Sequence, residues 1–456
     1  MQTYDNLIIG FGKGGKTLAG ALASKGEKTA IIERSPAMYG GTCINVACIP
    51  TKSLEHSARL SLAAGGDFAH KAERYAQAVA EKRKLTAMLR QKNYDKARAA
   101  GADVIDGEAS FTGPHELSVK YADGKSETFS AKRIFINTGS VPVIPKIPGL
   151  QESKFVYTSE TMMERDALPE TLAVIGGGYI GLEFASYYAN FGAKVTVIQD
   201  GEAFIPREDP EVAEKVLESF TARGIRVLRS AKTMEIRDGG DIAVLSLATK
   251  TGTEELRADA VLVATGRRPN IDALNLAAAG VAVTERGAVR TDNRLRTSVP
   301  GIRAMGDVAG GLQFTYISLD DSRIVKSDIL GDGSRTTENR GTVPYSVFID
   351  PPLSRAGLTE AEARAKGFDV RIAKIPAAAV PKAQVLKRSA GILKAVIDAK
   401  TDRILGAHLF CADSHEVINT VKTAMDAGLP YTALRDAVYT HPTMTEALND
   451  LFSNIY

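Results

Sequence analysis

One pattern recurs along the chain and restricts the fold more than any other feature. Leu7-Ile8-Ile9 is a short apolar run leading into Gly10-Phe11-Gly12-Lys13-Gly14-Gly15. A helical stretch from Lys16 to Lys25 follows, then a second apolar run, Thr29-Ala30-Ile31-Ile32, closed by Glu33. The same order returns at Ala173-Val174-Ile175, with Gly176-Gly177-Gly178-Tyr179-Ile180-Gly181, a helical stretch through Asn190, and Val195-Thr196-Val197-Ile198. Strand, glycine turn, helix and strand make a βαβ unit, which requires a parallel sheet and excludes all-helical and purely antiparallel folds. The reading is an α/β chain with two Rossmann-like dinucleotide-binding domains.

In such a turn the first glycine makes the bend and the second admits a pyrophosphate to the backbone. The third lets the helix pack on the sheet. Gly10, Gly12 and Gly15 fill these places in the first unit, with Glu33 positioned for ribose hydroxyls; Gly176, Gly178 and Gly181 fill them in the second. The offset from Gly10 to Glu33, applied from Gly176, falls on Gln199, with Asp200 next. A carboxylate there repels a 2′-phosphate, so the second site is expected to favour NADH over NADPH. A rival pattern overlaps the first turn: Gly10 through Gly15-Lys16-Thr17 also matches the phosphate loop of nucleotide triphosphatases. That loop needs a further apolar strand ending in a metal-binding Asp, and it leaves Glu33 and the second unit unexplained.

The remaining sequence fits around these units. At about 150 residues per domain, 456 residues suggest about three domains. An Ala-, Lys- and Arg-rich helical stretch covers Ser53 to Ala100, short alternating strands run from Val104 to Ile136, and Pro142, Pro145 and Pro148 mark a linker. Beyond Val343 a strand pair, Gly391 to Asp398 and Arg403 to Phe410, precedes helices over roughly Ser414 to Asp426 and Thr443 to Phe452. This last part reads as an α+β domain, giving three cores in all. The formal charge of +3 leaves no basic patch for nucleic acid or an anionic membrane surface. No apolar run reaches the roughly 18 residues of a bilayer span, and no leader precedes the first strand, so a cytoplasmic protein is expected.

The chain has three cysteines, Cys43, Cys48 and Cys411. The first two stand in Gly40-Gly41-Thr42-Cys43-Ile44-Asn45-Val46-Ala47-Cys48-Ile49-Pro50-Thr51-Lys52. Five residues on an ideal helix turn two side chains roughly 140° apart, so the sulfurs meet only across a distorted first turn. A thiol at a helix N-terminus near Lys52 is biased toward thiolate, the reactive form. Two buried small hydrophobes are the alternative, since free cysteine packs well in cores. The neighbouring dinucleotide turn and the paired glycines favour a redox pair.

This segment resembles the redox-active motif of the class I pyridine nucleotide–disulfide oxidoreductases, and the resemblance extends over essentially the whole chain. It implies an FAD site at Gly10, Gly12, Gly15, Glu33, Gly41, Thr42, Lys52, Thr138 and Gly139, completed by Gly306 and Asp307 of Ala304-Met305-Gly306-Asp307. It implies a nicotinamide-dinucleotide site at Gly176, Gly178, Tyr179, Ile180, Gly181, Gln199, Asp200 and Gly266, with Tyr179 as an aromatic gate over the flavin. Glu183 takes the place of the acid paired with Lys52. Cys48 is the thiol nearer the flavin and Cys43 the outer interchange thiol. His441-Pro442-Thr443-Met444-Thr445-Glu446 is similar to the C-terminal motif whose His and Glu serve the partner subunit's disulfide, which implies a homodimer with shared active sites. The same residues also fit a helix capping box with Thr443 as N-cap. Ala47 stands where the family usually has glycine. The domains implied are 1–150 (FAD, first part), 151–270 (NAD(P)H), 271–341 (FAD, central part) and 342–456 (dimerisation).

Within the family, Ala37-Met38-Tyr39-Gly40, the stretch Gly311 to Asp321, and Cys411-Ala412-Asp413-Ser414-His415-Glu416 look like the reactive chlorine resistance branch. That branch is described as reducing hypothiocyanous acid and copper(II). The expected reaction is reduction of hypothiocyanous acid, a small oxidant, by NADH through FAD and the dithiol. Copper(II) or another metal ion, or dihydrolipoamide chemistry, are the alternatives. Mercuric and large thioredoxin reductases need C-terminal redox residues that the ending Leu451-Phe452-Ser453-Asn454-Ile455-Tyr456 lacks. Cys411 and His415 suit copper as ligand types, but two ligands rarely close a site, and no resident metal is expected.

Overall fold

A computed structural model describes residues 1–456. The first sheet carries parallel strands in the order Asp103–Asp106, Thr29–Glu33, Gln2–Ile9, Ser126–Ile136, with Leu7 opposite Ala30 on one side and Ile134 on the other. The long strand Ser126–Ile136 is shared. Its first half pairs antiparallel with Glu116–Lys120, which extends to Glu108–Gly113, and its last residues pair in parallel with Ile302–Ala304. The first domain is therefore closed by a strand that arrives after the second unit has been completed.

The second unit is a five-stranded parallel sheet in the order Arg226–Leu228, Lys194–Ile198, Thr171–Ile175, Ala260–Val263, Val156–Thr158. A three-stranded antiparallel sheet, Lys232–Asp238, Ala243–Thr249 and Gly252–Ala258, lies between its fourth and fifth chain segments. The C-terminal part is an antiparallel five-stranded sheet, ordered Tyr345–Val347, Leu353–Gly357, Ile404–Phe410, Ile392–Asp398, Val370–Pro376, with helices Ser414–Asp426 and Ala447–Ser453.

Three departures from the sequence reading have physical causes. The helical stretch before residue 100 is two helices, Cys48–Ala64 and Phe68–Ala99, because Gly65 and Gly66 both take positive φ and reverse the chain. The last helix starts at Ala447 rather than Thr443. Three isolated cores are not what forms. The largest apolar cluster joins Leu54 and Tyr75 of the helix pair to Leu182 and Phe191 of the second unit and to Leu353 and Phe410 of the C-terminal sheet. The helix that begins at Cys48 is thereby fixed against both other parts. No helix is long and apolar enough to cross a membrane.

Candidate functional site

The first glycine turn is shaped by a residue that the sequence reading passed over. Gly10 sits at φ +98, and a Cβ there would lie 2.5 Å from the Asn137 carbonyl; one on Gly12 would strike the Asn137 side chain. Asn137 Oδ1 accepts the Gly15 N–H at 2.8 Å, while its Nδ2 donates to the Met305 carbonyl at 2.7 Å. One amide thus ties the turn to the Ile302–Ala304 strand, and the helix Lys13–Ala23 starts at Gly12 without a side-chain cap. Such an end presents backbone N–H groups and positive dipole to a phosphate. Glu33 ends its strand as expected and accepts the Phe11 N–H at 3.0 Å and the Ser35 N–H at 3.3 Å; burial raises its pKa.

The phosphate-loop alternative fails on geometry. Lys16 Nζ donates to the Gly40 carbonyl at 3.2 Å and to Asn93 Oδ1 at 2.5 Å, and the Thr17 hydroxyl donates to the Lys13 carbonyl at 2.7 Å. Lys16 anchors the cysteine segment instead of reaching a phosphate, and burial lowers its pKa to about 8.

The second turn has Gly176 at φ +113, and a Cβ on Gly181 would run into the Gly176 carbonyl. At Gly178 a Cβ meets no protein atom within 4 Å, so that side of the turn is open to a ligand. Tyr179 and Ile180 begin the helix Tyr179–Phe191 directly after it. Gln199 is buried, with Nε2 donating to the carbonyls of Gly201 at 3.0 Å and Ala203 at 2.6 Å and Oε1 lying against Gly177 of the turn. The carboxylate exposed beside the turn is Asp200.

The cysteine segment resolves the spacing problem by breaking the helix. Cys43 lies on the one-turn helix Thr42–Asn45, the chain leaves helical geometry at Val46 and Ala47, and Cys48 opens the helix Cys48–Ala64. Gly41, at φ +79, brings the segment onto the first turn; a Cβ there would be 2.6 Å from the Gly12 Cα. Both residues are thiols. Cys48 Sγ lies 3.3 Å from the hydroxyl of Thr315, which opens a second helix, Thr315–Leu330. Two helix N-termini thus meet at this sulfur, which favours the anion. The hydrogen bond from Cys43, the Thr315 hydroxyl and the Lys52 charge lower the Cys48 pKa to about 6 against the cost of burial, and Cys43, the donor, is pushed up correspondingly.

Lys52 Nζ pairs with Glu183 at 2.7 Å and lies 4.5 Å over the Phe348 ring, while the Phe348 N–H donates to the other Glu183 oxygen at 2.9 Å. Thr138 donates to the Asn270 carbonyl at 2.7 Å, and Asp307 accepts from Ser140 Oγ, also at 2.7 Å; Ser140 in turn accepts from Arg267 at 2.9 Å. Gly139, Gly266 and Gly306 all take positive φ at the crossings beside them. One cavity of about 2020 Å³ runs from Gly10 and Glu33 past Thr42, Thr138 and Asp307 to Cys43, Cys48, Lys52 and Glu183, with Tyr179 and Ile180 on its wall. It exceeds the roughly 300–1,000 Å³ of an ordinary small-molecule pocket, as a site for FAD joined by a nicotinamide requires. The turn glycines, the open helix start and the polar groups along its length fit a dinucleotide.

His441 and Glu446 are not on this cavity's wall within their own chain. His441 is exposed, with Nδ1 2.7 Å from Glu446 Oε2. The other Glu446 oxygen accepts the Thr443 N–H at 3.0 Å, and Thr443 Oγ1 accepts the Glu446 N–H at 3.3 Å. The reciprocal bonds of a capping box and the His–Glu pair therefore coexist, ahead of the helix rather than within it. Cys411 is fully buried in the C-terminal core, and burial pushes its thiol up to about 12. His415 rests against Phe348 at 5.4 Å, and no group of three or more potential ligands surrounds either residue. Asn137 and Thr315 are the site residues the sequence reading missed. A polar residue closing the apolar run Ile134-Phe135-Ile136 was the available signal for Asn137; Thr315 lay inside the stretch Gly311 to Asp321 noted above, with nothing to point it at Cys48.

Residues 4–322 match the family described as pyridine nucleotide-disulphide oxidoreductase, and residues 343–452 match its dimerisation domain. The chain belongs to the pyridine nucleotide–disulphide oxidoreductase family. Among its relatives, the probable pyridine nucleotide-disulfide oxidoreductase RclA of Escherichia coli K12 is 48% identical over 99% of both chains. A mercuric reductase of Staphylococcus aureus is 34% identical over 98% of this chain and 81% of its own. The structure described as a Cu(II) complex of the HOCl-induced flavoprotein disulfide reductase RclA from Escherichia coli superimposes with a TM-score of 0.93 at 47% identity, covering 99% of each chain.

Proposed function

We propose that the chain is an FAD-dependent, NADH-linked disulfide reductase whose Cys43–Cys48 dithiol reduces hypothiocyanous acid. The observation that carries this reading is the thiol pair itself: Cys48, 3.3 Å from the Thr315 hydroxyl and with its pKa lowered beside Cys43, shares one cavity with Cys43, the Lys52–Glu183 pair and the first glycine turn. The exposed Asp200 supports NADH as donor. When bound, FAD supplies the route by which an electron pair from NADH opens the disulfide. Lys52, held by Glu183, keeps positive charge beside the Cys48 thiolate.

Cys43 then bonds through sulfur to the electrophilic sulfur of the oxidant as its S–O bond breaks, and the Cys43 proton leaves with the oxygen as water. The Cys48 thiolate attacks Cys43, expels thiocyanate and restores the disulfide, so the two electrons of the dithiol reduce one oxidant. The exposed His441 and the half-buried Glu446 behind it, both absent from their own chain's cavity, serve a second copy of the chain as the proton-handling pair. The likeness to an HOCl-induced reductase supports this oxidant class.

Copper(II) reduction is the second reading, favoured by the Cu(II) complex of the 47% identical relative. The test follows NADH oxidation by the yellow holoenzyme with hypothiocyanous acid, copper(II), oxidised lipoamide and glutathione disulfide side by side. Fastest turnover with hypothiocyanous acid, abolished in Cys43→Ser, is the expected result. A colourless protein, or a faster reaction with lipoamide, refutes the proposal.

A further inference from the structure

The stretch Gly311 to Asp321, set apart by its sequence, ends in a buried carboxylate that no step above uses. Helix Thr315–Leu330 carries Ser318 and Asp321 three residues apart, and so on one face. Ser318 Oγ accepts the Gly14 N–H of the first turn at 3.1 Å, and Asp321 Oδ2 accepts the Gly306 N–H at 2.7 Å. A Cβ on Gly306 would lie 2.7 Å from Ser318 Oγ, so the Met305–Asp307 turn is held close against this helix. Asp307 lines the large cavity, whereas Asp321, only 3% exposed, stands behind it.

The other Asp321 oxygen has a partner from beyond the helix. Oδ1 accepts from Arg340 Nη2 at 2.8 Å. Arg340 Nε lies 3.5 Å from Asp320, which also pairs with Arg335 at 2.5 Å. Arg340 belongs to residues 331–344, a strap without helix or strand that joins this helix to strand Tyr345–Val347 of the C-terminal sheet. Just past Arg340 the strap is fastened to the C-terminal domain. The Thr342 N–H donates to Asp426 Oδ1 at 2.8 Å, and a Cβ on Gly341 would lie 2.8 Å from the same carboxylate. Burial raises the Asp321 pKa, and the Gly306 N–H and Arg340 oppose that rise. A carboxylate shut away from water depends on its cation, because removing one partner of a buried pair leaves the other charge uncompensated.

We infer that Arg340, by holding the Asp321 carboxylate against the Gly306 N–H, sets the shape of the Met305–Asp307 turn and so governs how long the first domain retains its flavin. Arg340 and Asp321 are positioning residues, since neither lines the cavity. The inference rests on the reading of that cavity as the flavin site. Its consequence is that cofactor retention depends on a residue of the strap, outside the strands and turns of the first domain. A neutral side chain at position 340 loosens the flavin while every group on the cavity wall stays in place.

The test times the loss of FAD from diluted holoenzyme, with free flavin read by absorbance in the ultrafiltrate. Arg340→Gln and Asp321→Asn are each expected to release FAD at least about tenfold faster than the wild type, the weight of one hydrogen bond between charged groups. Arg340→Lys restores the charge and is expected to recover part of that loss. Asp320→Asn removes the other partner of Arg340 but leaves the Asp321 bond, so its release rate is expected to stay within about twofold of the wild type. Arg340→Gln decides the matter if Asp321→Asn fails to fold. A wild-type release rate in Arg340→Gln, no recovery in Arg340→Lys, or equal acceleration by Asp320→Asn overturns the inference; the last would make the effect one of strap packing alone. A wild-type protein that holds no flavin refutes the flavin site itself and the inference with it, whereas yellow variants sharing one release rate refute only the role of Arg340.

Discussion

Replacing Thr315 by valine removes one hydroxyl and keeps the shape of the side chain, which isolates a single hydrogen bond to the Cys48 sulfur. That bond spans 3.3 Å. A hydrogen bond to an ionised group is worth about 1.5–3 kcal/mol, and each 1.36 kcal/mol moves a pKa by about one unit. The Cys43 hydrogen bond and the Lys52 charge remain in the variant, so the lower end of that range applies. The Cys48 pKa is then expected to rise from about 6 to about 7. At neutral pH the thiolate fraction falls from about nine-tenths to about one half. The sign on stability follows. Cys48 is held below its ordinary value of 9.0, so the reduced protein gains stability as pH rises from about 6 toward 9 and loses it as pH falls back. In the variant that gain begins about one pH unit higher. Alkylation of the reduced enzyme over a pH series, resolved to Cys48 by mass spectrometry, reads the midpoint directly. An unshifted midpoint would refute the assignment of the Thr315 hydroxyl as donor, whatever the variant does to turnover.

Three further outcomes are expected. Cys43→Ser should lower turnover with thiol-oxidising substrates by at least about a thousandfold, while NADH still reduces an artificial dye through the flavin, measured by parallel steady-state assays. Gly12→Ala drives a Cβ into the Asn137 side chain and should yield protein with little bound flavin, read as the flavin-to-protein absorbance ratio after purification. Mixed dimers of Cys43→Ser and His441→Ala chains contain one intact site, made of Cys43 from one chain and His441 from the other. They should regain about half of wild-type activity from two nearly inactive parents; no recovery on mixing would show that the pair does not act across subunits.

Much of the site was legible because its chemistry is local in sequence. The turns at Gly10–Gly15 and Gly176–Gly181, the acid at Glu33 and the segment Gly40–Lys52 each carry their purpose within a few residues, since bends, helix starts and thiolate stabilisation are short-range effects. What escaped was the tertiary completion. Asn137 joins Gly15 to Met305, Thr315 meets Cys48, and Ser318 meets Gly14, each across more than a hundred residues of chain. No periodicity encodes such meetings. For Gln199 an offset in sequence fixes where the residue lies but not how its side chain turns; two loop carbonyls take its Nε2 and leave Oε1 against Gly177. The break at Val46–Ala47 was foreseen as a need of the spacing, though not located. Lys16 shows the opposite failure, a residue whose motif pointed to phosphate and whose amine found Gly40.

The shared strand Ser126–Ile136 has a consequence for synthesis. Its last residues take Ile302–Ala304 as their neighbour, and Asn137 reaches Met305 just beyond. The second unit lies wholly between those partners, its sheet complete once Val263 has emerged. On a ribosome the later-numbered domain therefore has all of its strands first, and the N-terminal one waits with an open sheet edge and an unfinished flavin cradle. On the proposed reading, the flavin cradle is complete only after residues past 307 have emerged, whereas the donor's sheet is complete more than forty residues earlier.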